Sequence, residues 1–414
     1  MTEKGKANME RMEEEVPESS YRSYLHFISK SPWDYTGVND QLAIDLNIVM
    51  QQEQKKNKTP TGYIIDESSH VKKGCHSAGV ARQYAGSVGK VENCQVGVYA
   101  CLCNGDRVSL LNERLFLPQS WIDDVQRCEQ AEIPEDDRVY KTKPQLALEM
   151  IDKDIQRGVV FDWVGGDGLY GHNYELCKGL DQRHLLFVLD VHKDQHIYLE
   201  KPNLSIPSRN GNRGKHPTCL KADKNSLRAD EYINTLKKSD WQKVKIRKTA
   251  KGWLRAWIHI KELWVWDGQE EIVRKRTLII RKPIGKKNEI KYSLSNGVIT
   301  DYSAKNFAYF QAGRYWVERS FDDAKNELGM SDYQVRKWLG WHHHHVMVMM
   351  AMLFLLRERI ENEEKYPLMS VRDARLLLIE MIKEDQILLH KRWMQMNKRH
   401  QKRQADIDRF YNSS

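Results

Sequence analysis

Residues 161–171 read Phe-Asp-Trp-Val-Gly-Gly-Asp-Gly-Leu-Tyr-Gly. The apolar run Phe161–Gly166 is too short for a helix and reads as a buried strand. Asp167 closes it. Gly165, Gly166 and Gly168 leave room for a bulky ligand beside the backbone, and they equally suit a plain strand-to-helix turn. Upstream, Pro144–Arg157 carries Leu146, Leu148, Ile151 and Ile155 near helical spacing, with a proline near its start. Downstream, Asn173–Gln182 reads as a helix and His184–Val191 as a strand. This α-β-α-β run is what crossover connections look like in a sheet with helices on its faces.

Three earlier stretches read as strands able to form a meander: Gly62–Asp66, Cys94–Cys103 and Arg107–Leu117. The predicted order is β-β-β-α-β-α-β, a mixed α/β sheet spanning residues 62–191. Residues 1–20 are polar and Glu-rich and are expected to be disordered. Residues 21–61 carry helical patterning and end in a polar linker, an N-terminal piece that suits DNA binding. Residues 192–290 are polar, basic and Trp-rich. From Lys237 to Lys291 there are 17 Lys/Arg against 6 Asp/Glu, and five tryptophans (241, 253, 257, 264 and 266). Trp253–Ile260, Leu263–Trp266 and Arg276–Ile280 read as strands, so this segment is taken as a β-rich insertion. Lys291–Leu294 looks like one more strand. A helical part follows to residue 361, and 362–414 reads as further helices with a basic end.

The whole chain of 414 residues carries a net charge of +9, which favours a polyanionic partner. Seven cysteines, an odd number without a CxxC pair, fit a reduced, cytoplasmic setting. The polar N-terminus is not a signal peptide. The longest apolar run, Val346–Leu356, has 11 residues, too few for a bilayer, and reads as part of a buried helix. The preceding run His342–His345 points four ways on a helix, so a structural role is favoured over a metal site.

Three carboxylates stand where hydrolysis of a phosphodiester would want them. Asp66 closes Tyr63-Ile64-Ile65, Asp167 closes the fourth strand, and Glu318 lies in Arg-Tyr-Trp-Val-Glu-Arg-Ser-Phe-Asp-Asp-Ala-Lys, residues 314–325. Two-metal nucleases hold ions roughly 3.5–4 Å apart, and Mg²⁺ prefers carboxylate oxygens, so a few Asp/Glu on rigid elements suffice. Strand alternation puts Ile64 and Asp66 on one face and turns Glu67 away. On a helix, Arg314, Glu318 and Lys325 fall within roughly 40° of one another. That suits a site for metal and phosphate, and it equally suits an ordinary Arg314–Glu318 ion pair.

These residues also carry a resemblance. The chain resembles bacterial insertion-sequence transposases of the DDE superfamily, insertion sequence family 701, from about Trp33 to about Met352. The motifs are Tyr63-Ile-Ile-Asp-Glu67, Lys72-Lys-Gly74, Gly79-Val-Ala-Arg-Gln-Tyr84, Gly89-Lys90, Asn93-Cys-Gln-Val96, Leu117-Pro-Gln-Ser-Trp121, Ile133-Pro-Glu135 and Lys143-Pro144. They continue as Gly166-Asp-Gly-Leu-Tyr-Gly171, Tyr292-Ser-Leu-Ser-Asn296, Glu318 to Leu328-Gly329, Val335-Arg336 and Gly340-Trp-His-His-His344. The Tyr-x2-Arg-x3-Glu-x6-Lys signature of the related family 4 is matched by Arg314, Glu318 and Lys325, with Gln311 in place of the tyrosine.

The resemblance implies an RNase H-like core interrupted by a β-rich insertion, with Asp66, Asp167 and Glu318 as the catalytic, metal-holding triad. It implies two Mg²⁺ (or Mn²⁺) ions and double-stranded DNA as partner, both terminal inverted repeats and target. It further implies a homodimer in the synaptic complex and action in the bacterial cytoplasm at the nucleoid. Arg314 and Lys325 are the expected phosphate contacts. Lys72, Lys73, Arg82 and Lys90 follow the first strand and either touch DNA or form a solvated basic loop. One of Trp253, Trp257, Trp264 or Trp266 is a candidate to stack on a base, cross-strand packing being the alternative. A domesticated, non-catalytic DNA-binding protein is the rival reading, and a ribonuclease of similar fold a weaker one.

Overall fold

The computed structural model describes residues 9–16, 19–208, 216–249, 252–284, 289–366 and 369–383, with isolated positions between 394 and 409. Of the acidic leader, Met9–Glu15 is helical and residues 1–8 lie outside the described ones; half of the basic end, 390–403, does too. Two further helices precede the sheet, α1 (Tyr21–Ser29) and α2 (Tyr35–Asn57), each started by a side-chain cap from Ser20 or Asp34.

The sheet is built on β1 (Thr61–Val71), whose Tyr63, Ile64 and Ile65 are fully buried. Burial on both faces places a strand mid-sheet. Antiparallel β2 (Ala81–Ala85), β3 (Lys90–Asn104) and β4 (Arg107–Leu115) form the meander on one side. On the other side β5 (Trp163–Gly166) and β6 (Phe187–Val191) run parallel to β1, entered through α3 (Lys143–Gln156) and α4 (Tyr174–Gln182). The seven predicted elements occur in the predicted order, with β2 as an additional strand that sequence reasoning passed over.

Apart from two small two-stranded ladders, the basic segment does not form a separate sheet. Its strands β7 (Gln242–Thr249), β8 (Gly252–Val265) and β9 (Arg274–Pro283) join β10 (Lys291–Ser295), and β10 pairs antiparallel with β6. One ten-stranded sheet results, ordered β7-β8-β9-β10-β6-β5-β1-β3-β2 with β4 also on β3. The two short runs read around Trp253 and Trp266 are one 14-residue strand.

Helices cover both faces. Tyr63 and Ile65 pack with α2, α3 and α4, whereas Ile64 packs with α5 (Ala304–Gly313), α6 (Tyr315–Glu327) and α7 (Trp338–Glu361). Ala304, Ala308 and Ala312 lie one turn apart on α5 and let it approach Ala256 and Ile258 of β8 closely. Trp163 is held where a Cβ on Gly62 or Gly313 would lie 2.4 or 2.6 Å from its ring, so both positions need glycine. Helix α7 is long and apolar enough by composition to cross a membrane, but most of that stretch is buried between the other helices and the sheet. Its histidine run is structural. His342 meets Glu113, His343 meets the carbonyls of Ile28 and Trp33, and His345 meets that of Trp341.

Candidate active site

Asp66 does not end its strand. β1 stays paired with β3 as far as Val71, but β5 pairs only with Gly62–Ile64. Beyond Ile64 one edge of β1 is therefore open, and Asp66 sits at the step. Asp167 caps the short helix Gly168–Gly171 directly after β5, its Oδ1 accepting from the Leu169 N–H at 2.9 Å. Side chains from both sheet faces meet at this open edge. Carboxylate oxygens of Asp66, Glu67 and Asp167 lie within 4.8 Å of one another. Alternation excludes Glu67 only where strands flank it on both sides, and here they do not.

The charge of this cluster is under strain. Burial pushes the Asp66 carboxyl up to about 7, and neighbouring Asp167 adds to the rise, against the pull of Arg314. Glu67 Oε2 is buried without a hydrogen-bond partner, although Oε1 accepts from Lys143 Nζ at 2.8 Å. Hard oxygen donors, a carboxylate that resists ionising and an orphaned buried oxygen all fit a divalent cation such as Mg²⁺.

Glu318 stands apart from that cluster, joined to it through Arg314. Arg314 occupies the joint between α5 and α6, directly after the Gly313–Trp163 contact. Its Nη1 lies 3.3 Å from Asp66 Oδ2, its Nε 3.2 Å from Asp190 Oδ2 and its Nη2 2.5 Å from Glu318 Oε1. The i,i+4 ion pair of this helix face is present, and its arginine also reaches Asp66. Asp190 on β6 escaped sequence reasoning, since nothing marks one acid in an apolar strand. It accepts from Ser293 Oγ at 2.6 Å; Ser293 accepts from Gln311 Nε2 at 2.7 Å, and Gln311 Oε1 accepts from Arg281 Nε at 3.0 Å. Gln311, the departure from the family signature, thus ties the basic strands β9 and β10 to the arginine of the site.

Residues 1–252 match the family described as DDE superfamily endonuclease. The chain belongs to the DDE superfamily of endonucleases. It is also 25% identical over 313 residues to the probable transposase for insertion sequence element IS701 of Microchaete diplosiphon, covering 75% of this chain and 67% of that one.

In this DDE-superfamily chain the expected DNA contacts are scattered. Lys325 is half-buried on α6, close enough to Asp66 to feel its charge, and burial lowers its pKa. Lys72 is turned inward, its Nζ donating to the Tyr333 carbonyl at 2.7 Å and lying 4.2 Å from that ring's centroid; burial brings it down to about 8. Lys73 and Arg82 are exposed, and Lys90 is exposed but paired with Glu92. Trp253 and Trp257 are exposed on the sheet face opposite to Asp66. Sequence reasoning also passed over His172 and His192, stacked at 4.5 Å beside the Asp167 turn.

The Asp167 turn depends on Gly171, where a Cβ would stand 1.9 Å from the Asp190 carbonyl oxygen. Gly171→Ala is expected to destabilise the fold by about 1–3 kcal/mol and to displace Asp167. Urea unfolding measures the first effect. A variant as stable as the parent contradicts the close approach.

Proposed function

We propose that the protein is an insertion-sequence transposase that cleaves the ends of its element and joins them to target DNA, using Asp66, Asp167 and Glu318 to hold two Mg²⁺ ions. The observation that carries this reading is the convergence of Asp66 and Asp167 at the open edge of β1, with Arg314 linking Asp66 to Glu318. Residues 62–191 and 291–361 then act as catalytic core and 192–290 as the insertion that handles DNA.

In the reaction a water oxygen attacks the phosphodiester at the element end, and the leaving strand departs with a free 3′-OH. That hydroxyl next attacks target DNA in line, one phosphodiester forming as another breaks. Bound ions would lower the pKa of the attacking oxygen and neutralise charge on the phosphate. Asp66, Asp167 and Glu318 would hold the ions, Asp66 standing between the other two. Arg314, anchored by Asp190, would turn to the phosphate, with Lys325 as a second cation for it. Synapsis of two ends calls for a homodimer on DNA, acting at the chromosome in the cytoplasm.

The test is cleavage of duplex DNA carrying the inverted repeats that flank the gene. With Mg²⁺ the protein is expected to leave 3′-OH ends, and with EDTA to leave the DNA intact. Binding of the repeats without cleavage in either Mg²⁺ or Mn²⁺ would instead mark a non-catalytic DNA-binding descendant.

A further inference from the structure

The proposed ion set leaves Asp190 without a role. Asp190 sits on β6, next to β5 in the sheet, and its cross-strand partner on β10 is Ser293. It stands outside the group of Asp66, Glu67 and Asp167, whose oxygens could share an ion. Both of its own oxygens are committed. Oδ1 accepts from Ser293 Oγ at 2.6 Å, and Oδ2 lies 3.2 Å from Arg314 Nε.

The contacts behind Asp190 run in one direction only. A guanidinium has donors and no acceptor. The Gln311 amide must therefore turn Oε1 to Arg281 Nε, 3.0 Å away, and Nε2 to Ser293 Oγ, 2.7 Å away. Ser293 Oγ accepts that bond, so its single proton goes to Asp190. Asp190 thus receives a hydroxyl proton on one oxygen and faces a cation with the other, which holds it as a carboxylate. Burial lifts this carboxyl, and Ser293, Arg314, Lys291 and Arg281 act against the rise. Gln311 is 3% exposed and Ser293 is fully buried, and a satisfied network at such depth fixes one arrangement of its members.

That arrangement decides how Arg314 is presented. Asp190 grips the guanidinium on its Nε side and leaves Nη1 and Nη2 for the site, where they meet Asp66 and Glu318 at 3.3 and 2.5 Å. An Nη pair held in this way is a planar fork that matches two oxygens of one phosphate. Arg314 is also the joint between α5 and α6, so its side chain needs a fixed point outside those helices. Without Asp190 it keeps only Asp66 and Glu318, both assigned above to the ions.

We infer that Asp190 is a positioning residue, one that binds no ion and aims the Nη fork of Arg314 at the phosphate, and that Ser293 and Gln311 act through it. The inference rests on the reaction proposed above.

Two measurements on the full-length protein test it. The first is single-turnover cleavage of a DNA end carrying the flanking repeat, with Mn²⁺ counted on the uncut complex. Asp190→Ala is expected to cut about 10–100-fold more slowly, with both ions retained and the half-saturating DNA concentration changed by under about threefold. Gln311→Glu keeps the shape and the Arg281 contact but opposes Ser293 with an acceptor, and should lose about fivefold or more. Ser293→Ala removes the same donor without adding charge and should lose as much, so early melting of the Gln311→Glu chain leaves the test intact. Added to Arg314→Ala, each change should cost less than about twofold more, because the residue that it orients is gone. The second measurement needs neither metal nor DNA. The Arg314 Nε–H resonance of ¹⁵N-arginine-labelled protein, assigned by its loss in Arg314→Lys, should shift in Asp190→Ala and in Ser293→Ala. An ion lost from Asp190→Ala would make Asp190 a ligand and overturn the inference. Parental rates in Asp190→Ala and Ser293→Ala, or an Arg314 resonance that neither variant moves, would overturn it as well. A parent that cuts no DNA would refute the proposed reaction, and the resonance alone would then decide whether Asp190 and Ser293 orient Arg314.

Discussion

Asp66→Asn is expected to lose Mg²⁺-dependent cleavage by about 10³-fold or more, and yet to melt at a higher temperature than the parent in metal-free buffer at pH 8. The first effect follows from removing the carboxylate proposed above to hold both ions, worth several kcal/mol in the transition state. The second follows from burial and the neighbouring Asp167, which push the Asp66 carboxyl up from 3.8 to about 7. A raised acid pKa means that the ionised carboxylate costs free energy in the folded chain. That cost is absent below about pH 4, grows as pH rises towards 7 and is constant above. The advantage of the asparagine variant should follow the same curve, amounting to a few degrees in melting temperature at pH 8. Mg²⁺ should stabilise the parent and leave the variant unmoved. A variant that melts below the parent at pH 8, or that cuts at the parent's rate, contradicts the assignment of Asp66.

Glu318→Gln and Glu67→Gln should separate sharply. In the metal-free fold Glu67 is the carboxylate near Asp66 and Asp167, while Glu318 is half-exposed and held by Arg314. Proximity alone favours Glu67. Glu67 is committed to Lys143, however, whereas the Arg314–Glu318 pair is at the surface and weak enough for an ion to replace it. The expected loss of cleavage is about 10²–10³-fold for Glu318→Gln and under about tenfold for Glu67→Gln, measured as single-turnover rates on a DNA end. The reverse order would make Glu67 the third ligand and Glu318 a partner of Arg314 only.

Much of this core was legible because its signals are local. The glycine-flanked Asp167, the capped helix α3 and the apolar strands β3 and β5 each declare themselves within a few residues. What was missed depends on pairing across the chain. The open edge at Asp66 is set by where β5 stops, which the β1 sequence does not encode, so alternation did not reveal that Glu67 lies beside Asp66 and Asp167. Asp190 acquires meaning only when β6 lies beside Arg314. β7, reading Gln-Lys-Val-Lys-Ile-Arg-Lys-Thr, looks like a solvated basic run, because only one of its faces is covered, by the small side chains of α5. The joining of the basic strands to the core through β10 likewise rests on register with β6 and β9, which no single stretch reveals. Lys72 reads as a free basic residue and is instead tied to Tyr333, a contact 261 residues away in the chain.

Counting Mn²⁺ ions on the protein bound to an uncut DNA end, by electron paramagnetic resonance, tests the central assignment most directly. The account predicts two ions per active site in the parent and at most one in Asp66→Asn, Asp167→Asn or Glu318→Gln. No bound ion at millimolar Mn²⁺, or two ions retained in all three variants, would contradict it.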